Sequence, residues 1–259
     1  MGKKDYLYLG IVIVLAGLFF FLGLGSYSLF DVDEPRYAEA AREMIEKNNW
    51  ITPYFNYEVR FDKPVLFYWL IAICYKIFGV TEFAARLPSA FMALFTTIAL
   101  FFFGRKHVNL TFGFLSSIVL ITSLEFFGLS RMSITDMTLA GFISLMFMSG
   151  FTAIYTEGKE KTTFWYLFYI FMALGMLTKG PVVPAFAVMV FAPYLLLTGK
   201  FIETFKTCKL ITGSILFLLI AAPWYIAMII QNGQAYIDHF FLYDNFERFT
   251  STVSGHKGP

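Results

Sequence analysis

Charge is scarce in this sequence: 15% of its 259 residues are Asp, Glu, Lys or Arg, against about a quarter in soluble domains. A chain this poor in charge is neither disordered nor a solvated coiled coil. Its two cysteines, Cys74 and Cys208, are too few and too far apart for a disulfide scaffold; they read as unpaired packing residues near opposite membrane faces. Histidine occurs three times, and no His, Cys or acidic cluster has convincing metal-ligand spacing. A glycine-rich phosphate loop and a Ser/His/Asp order are missing as well. The net charge of +2 gives no ground for nucleic-acid binding. No internal repeat, low-complexity tract or pair of inverted transporter-like halves is visible.

Apolar surface is in excess: 58% of the residues are hydrophobic and 33 are phenylalanine. This is the composition of an all-α polytopic membrane protein. A spanning helix needs about 20 apolar residues, and seven runs come close: Tyr6–Ser26, Pro88–Phe103, Leu110–Ser130, Met137–Tyr155, Phe164–Thr178, Val182–Thr198 and Leu210–Ile230. The first follows Lys3 and Lys4; it is too long for the core of a secretory signal, so it reads as an uncleaved span. An eighth run, Val65–Gly79, reaches only about 22 Å as a helix, short of a hydrocarbon core of roughly 30 Å.

Charge decides the role of that eighth run. The short basic loops Arg105–Lys106, Lys159–Lys161 and Lys200–Lys209 share a side with Lys3 and Lys4 only if Val65–Gly79 does not cross. Under the positive-inside rule that shared side is the cytoplasm. Residues 65–79 are therefore expected to lie as an interfacial or re-entrant helix on the outer face. The first outer loop (27–64), Thr81–Leu87, Asp136, Lys179–Pro181 and the chain after Gln231 then gather on that same face.

The outer loop carries the most information. In Phe30–Met44, Pro35 suits a first helical turn, and Asp33 or Glu34 suits the cap at the positive end of the dipole. Tyr37, Ala41, Met44 and Ile45 share one face, with Arg36, Glu39, Glu43 and Glu46 elsewhere, which predicts an amphipathic helix lying flat on the membrane. Asp31, Asp33 and Glu34 either cap that helix or do chemistry. Carboxylates at the edge of an apolar medium need partners or a use, and Asp33 suits a general base for an acceptor hydroxyl. Lys63 precedes a proline-started aromatic stretch containing Tyr68 and Trp69. It is either a snorkelling anchor or a cation for a lipid phosphate, with Arg36 and Arg86 as candidate helpers because a guanidinium suits bidentate phosphate binding. Asp136, between two apolar runs, is either functional or the partner of Arg131. Lys179, in the tight turn Leu177–Pro181, runs against the positive-inside bias and points to an anionic partner. The tail Asn245–Phe249, followed by His256, is polar and aromatic and assigns nothing alone.

Taken in order, Asp33-Glu-Pro-Arg-Tyr-Ala-Glu39, Phe61-Asp-Lys-Pro64 with Tyr68-Trp69, Arg86-Leu-Pro-Ser89, Asp136 and Thr178-Lys-Gly-Pro181 resemble the C-type membrane glycosyltransferases. The nearest branch holds the lipid A aminoarabinose transferases and the protein O-mannosyltransferases. Each motif is short, but the likeness runs through the whole chain. The resemblance implies an inverting transferase of the cell membrane. Such an enzyme takes a sugar from a polyprenyl-phosphate donor on the outer face and gives it to a lipid, protein or glycan acceptor. It further implies that Asp33 is the general base or orients the acceptor, that Asp136 shares the site, and that Lys63 contacts the lipid phosphate. Glu34, Arg36, Tyr37, Arg86 and Lys179 are the substrate-binding candidates that go with it, and a divalent metal ion is linked to the acidic position before that lysine, here Asp62. Family members continue with more spans and a soluble outer domain, so these residues are expected to form the front, seven-span module of a longer protein, folded but inactive alone. Two other readings stay open. One is a lipid-phosphate binding or transport protein without catalysis; the other is a membrane assembly subunit whose acids face basic partners.

Overall fold

The computed structural model describes residues 2–30 and 32–240. Asp31, Asn245–Phe249 and His256 lie outside the described residues. The chain runs through α1 (Lys3–Phe21), α2 (Asp33–Glu46), a hairpin of β1 (Tyr54–Phe55) and β2 (Glu58–Val59), α3 (Leu66–Phe78), α4 (Glu82–His107), α5 (Leu110–Thr122) and α6 (Leu124–Ser130). It continues with α7 (Thr135–Ile154), α8 (Gly158–Lys179), α9 (Val182–Leu197), α10 (Phe201–Thr207), α11 (Leu210–Asn232) and α12 (Gln234–Tyr236).

All seven expected runs are helical, but their count as spans is only partly met. Among the described residues α1, α4, α7 and α11 are long and apolar enough to cross a membrane, and α5 with α6 adds a fifth if a pair bent by 68° is one span. The bend falls at Ser123, which leaves helical geometry at ψ 124°. Helix α8, with 22 residues, has the length to cross, but its first turn carries charge at Lys159, Glu160 and Lys161; α9 has 16 residues.

Ion pairs establish which helix ends lie together. Arg105 pairs with Asp5 at 3.0 Å, Lys106 with Glu160, and Lys161 with Glu203 at 3.6 Å. These join the start of α1, the end of α4, the start of α8 and α10 at one end of the bundle. At the opposite end Arg86 donates to the carbonyls of Leu24 and Tyr27, Asp136 pairs with Lys179, and the Thr52 hydroxyl donates to Gln231 (3.0 Å). The basic segments thus collect at one end and the carboxylate-bearing loops at the other, as the charge pattern predicts. Helix α3, about 20 Å long, keeps both of its ends at the carboxylate end. Trp69 near its start donates to the Trp50 carbonyl (2.7 Å), and Phe78 at its close packs edge-on against Phe83 at the start of α4.

Helix packing relies on small residues, which let backbones approach where no water is present to drive apolar association. A Cβ added to Gly113 of α5 would stand 2.4 Å from the Phe101 carbonyl oxygen of α4, and one on Gly104 would stand 2.8 Å from Gly113 Cα. Only two bare Cα atoms allow that crossing.

Three local expectations are corrected. Helix α4 starts at Glu82 rather than Pro88, because Thr81 caps it by accepting from Ala84 N (3.2 Å); Thr81–Leu87 forms the cap and opening turns of the helix. The apolar face of helix α2 packs on protein rather than on lipid. Tyr37, Ala40, Ala41 and Met44 are buried in one cluster with Phe67, Tyr68 and Ile71 of α3, and the Tyr37 and Phe67 rings meet edge to face at 5.6 Å. Glu43, expected on a solvated face, is buried and accepts from Tyr57 N (2.8 Å). That bond anchors the β1–β2 turn, where Asn56 and Tyr57 both take positive φ, as a tight hairpin requires. Cys74 and Cys208 are unpaired, at opposite ends of the bundle.

Candidate active site

The opening of α2 is held by a buried ion pair. Glu34 and Arg86 have fully buried side chains. Arg86 Nε and Nη2 donate to the two Glu34 oxygens at 2.9 Å each, Nη1 donates to the carbonyls of Leu24 (3.0 Å) and Tyr27 (2.9 Å), and Nη2 also reaches the Ser28 carbonyl (2.9 Å). A guanidinium has five N–H donors, so none is left for a phosphate. Glu34 in turn accepts from Phe30 N (2.7 Å) and Ser133 N (2.6 Å). Burial alone would raise the Glu34 carboxyl, but the hydrogen bonds from Arg86, Phe30 and Ser133 outweigh it and hold it below the ordinary carboxylate range. Glu34 and Arg86 were expected to bind substrate; their saturated contacts instead make them the frame that ties the α1–α2 loop, α2, α4 and the approach to α7.

That frame carries Asp33 on one side and Asp136 on the other. Asp33 opens α2 beside Glu34, with its side chain 69% exposed and Arg36 at 4.0 Å. It acts through its position in the first turn; Val32, without a side-chain bond, is the cap residue. Asp136 sits in the first turn of α7, three residues after Ser133, and pairs with Lys179 at the last position of α8. The alternative partner, Arg131, instead donates to the Phe19 carbonyl (2.9 Å). Gly180 follows Lys179 at φ 88°, which lets the chain reverse directly into α9.

Tyr37 stands in the field of both carboxylates. Burial is the main influence pushing its phenol up; the Thr135 side chain and Arg60 pull it down, and the Asp33 and Asp136 carboxylates push it further up. It therefore stays neutral. Arg60 is the residue whose importance sequence reasoning missed. Its guanidinium lies 5.7 Å from the Tyr37 ring centroid and 5.6 Å from that of Phe55, donates to the Tyr68 hydroxyl (3.2 Å) and pairs with Asp62 (2.9 Å). Burial pushes the Tyr68 phenol well above its ordinary value, against the opposing pull of Arg60. The signal available was Arg60-Phe-Asp-Lys63, two cations flanking one acid. Lys63 is half-buried in the turn before α3.

Asp62 does not fit a metal centre. Its carboxylate is taken by Arg60, and no group of three His, Cys, Asp or Glu side chains suited to a metal occurs among the described residues. The assembled chemistry is an exposed carboxylate beside a neutral phenol, with guanidinium and ammonium groups within the same bundle end.

Comparison with known proteins agrees with this architecture. Residues 62–226 match the family described as dolichyl-phosphate-mannose-protein mannosyltransferase. An uncharacterized protein of Aquifex aeolicus (strain VF5) is 33% identical over 99% of this chain and 57% of its own length. The undecaprenyl phosphate-alpha-4-amino-4-deoxy-L-arabinose arabinosyl transferase of Aeromonas hydrophila is 30% identical over 93% of this chain and 44% of its own length. The crystal structure of ArnT from Cupriavidus metallidurans bound to undecaprenyl phosphate superposes with a TM-score of 0.91 at 25% identity, covering 98% of this chain and 47% of that one. The chain thus spans about half the length of the relatives it matches. A family match across well over half of the chain, on a multi-pass helical fold shared with ArnT, is decisive: the chain belongs to the dolichyl-phosphate-mannose-protein mannosyltransferase family of C-type membrane glycosyltransferases.

Proposed function

We propose that the chain is the membrane module of a glycosyltransferase that moves a sugar from a polyprenyl-phosphate donor to an acceptor hydroxyl or phosphate. The observation that carries this reading is the gathering of Asp33, Tyr37, Arg60, Asp136 and Lys179 around one frame at one end of the bundle. The relatives named for undecaprenyl-phosphate sugar transfer, and the ArnT structure holding undecaprenyl phosphate, support the choice of donor. Because the basic loops occupy the opposite end, the positive-inside rule makes this end the outer face of the cell membrane and puts the amino end in the cytoplasm.

In this mechanism Asp33 takes the proton of the acceptor hydroxyl, whose oxygen attacks the anomeric carbon from the side opposite the phosphate, inverting it. The bond to the phosphate oxygen breaks and the lipid phosphate leaves as an anion. Arg36, Lys63 and Lys179 stabilise the charge that develops on it, in a site where fixed cations act more strongly than in water. Tyr37 is held neutral by burial, and Asp136 orients Lys179. A lipid, a protein or a glycan would each satisfy the acceptor role.

The test is Asp33→Asn in the purified full-length protein with a labelled polyprenyl-phosphate sugar. Transfer falls about 100- to 10,000-fold, the range for a lost general base, while donor binding stays within about twofold of wild type, as expected for a group that touches the acceptor. Transfer undiminished by the substitution would remove Asp33 as the base, and donor binding by the wild type with no transfer at all would leave a lipid-phosphate binding or transport protein.

A further inference from the structure

On the side of α2 facing away from Asp33, a pocket of about 370 Å³ opens between that helix, β1, the end of α3 and the start of α4. At 3.6 residues per turn Pro35, Ala38, Glu39 and Arg42 fall on this side, and Asp33, Tyr37 and Met44 on the other. The proposed sugar transfer makes no use of it. Its polar groups include Glu39, Arg42, Glu82 and Tyr75. Tyr75 is 5% exposed, and its hydroxyl makes no hydrogen bond among the described residues. Burial is the main influence pushing this phenol up; the Glu39 and Glu82 carboxylates push it further, and Arg42 pulls it down. All three of those charges line the pocket, so the hydroxyl is aimed into it. A buried tyrosine hydroxyl ordinarily has a partner, and the pocket is where one can reach it. The surrounding charges do not balance. Arg42 is shared, donating to Glu39 through Nε (2.9 Å) and Nη2 (2.6 Å) and to Glu46 through Nη1 (2.7 Å). Glu82 forms no ion pair among the described residues, and Lys76, the cation of α3, stands over the Trp50 ring instead (4.5 Å).

We infer that this pocket binds an organic cation, a primary ammonium group carried on a small body. The ammonium donates to the carboxylates of Glu82 and Glu39 and to the Tyr75 hydroxyl oxygen, and its carbon body lies against Leu29, Pro35 and Ala38. Ammonium–carboxylate hydrogen bonds are among the strong ones because both partners are charged. An anion is repelled by the unbalanced carboxylates, and a neutral ligand leaves their charge unanswered. A bare divalent metal finds no group of three acidic, His or Cys side chains among the described residues. The headgroup of phosphatidylethanolamine and a free water-soluble amine both present this ammonium.

The experiment is equilibrium binding of radiolabelled short-chain phosphatidylethanolamine to the purified full-length protein, with unlabelled competitors. In wild type, unlabelled phosphatidylethanolamine competes about tenfold better than its N-acetyl derivative, which keeps the chains and phosphate but loses the ammonium. Tyr75→Phe, which keeps the ring and removes the hydroxyl, weakens binding about tenfold, the worth of one hydrogen bond to a charged group. Glu82→Gln, at an exposed position that leaves folding intact, weakens it about fivefold, the upper range for a solvent-exposed ion pair. Displacement of the lipid by ethanolamine but not by N-acetylethanolamine assigns the site to a free amine; an amine-selective lipid that ethanolamine does not displace assigns it to the headgroup. Equal competition by phosphatidylethanolamine and its N-acetyl derivative overturns the inference, and that comparison needs no variant to fold. Unchanged binding in either variant overturns it too. So does a wild type that binds no amine, as when another part of the full-length chain already fills the pocket.

Discussion

Glu34→Gln is the sharpest perturbation the structure offers. Each Glu34 oxygen accepts two bonds: Oε1 from Arg86 Nε and Ser133 N, Oε2 from Arg86 Nη2 and Phe30 N. Glutamine supplies one acceptor oxygen and one NH2, so whichever way the amide turns, two donors face a third. Arg86, wholly buried, also loses its counter-charge. Removing one partner of a buried pair costs about 3–5 kcal/mol, and that is the expected loss here. Thermal unfolding in detergent, followed with a thiol-reactive dye on the buried Cys208, reads the change. The cycle with Arg86→Met makes the test specific. The double variant should be less destabilised than the sum of the singles by at least about 2 kcal/mol, since the groups touch. The pH dependence follows from the sign of the shift. The Glu34 carboxyl lies below its ordinary value of 4.5, so its contribution is complete above that value and fades as the pH falls through the lowered one. The gap between wild type and Glu34→Gln should be constant from about pH 8 to 6 and narrow only below about pH 4. A single-variant loss under about 1 kcal/mol, or additive singles, would refute the claim that this pair is the frame.

Further outcomes follow from other contacts. Arg60→Lys keeps the charge but gives up the fork shared by Tyr68 and Asp62; the same unfolding assay should show a loss of about 1–2 kcal/mol, with unchanged stability arguing against its central place. Gly113→Leu drives a side chain into the Phe101 carbonyl and should destabilise by about 3 kcal/mol or more, or prevent folding, whereas Gly128→Leu, where nothing lies within 4 Å of an added Cβ, should be tolerated. Single cysteines at Tyr57 and Thr81 should react with a membrane-impermeant reagent from the outside of intact cells, and those at Glu160 and Glu203 only after permeabilisation. Labelling of Tyr57 and Glu160 from the same side would remove the proposed orientation.

Residues near one another in the chain told the truth about what is local. Apolar runs and the lysine- and arginine-bearing loops between them are one-dimensional quantities, so parity could be counted, and from it came the expectation that both ends of stretch 65–79 lie at one end of the bundle. Pro35 and the acids around it likewise announced α2. The apolar run begins at Pro88, but α4 starts at Glu82, where the Thr81 hydroxyl caps it, a contact the run length does not reveal. The hairpin around Asn56 and Tyr57 lacks the glycine that ordinarily marks such a turn, and it forms because the buried Glu43 carboxylate takes the Tyr57 N–H.

The sequence by itself determined the class of molecule, the end of the bundle at which each loop lies, and the family motifs, because burial in a membrane and the sidedness of charge depend on composition over windows of about twenty residues. Which charges meet was decided only by tertiary structure. Arg86 reads as a phosphate ligand until four acceptors from residues 24 to 34 are folded around it, Asp136 has its cation 43 residues away rather than five, and Arg60 matters only once Tyr37 and Tyr68 stand beside it. The reason is physical: an ionisable group is either a structural pair or a free reactant according to how many partners surround it, and helix packing brings those partners from far along the chain.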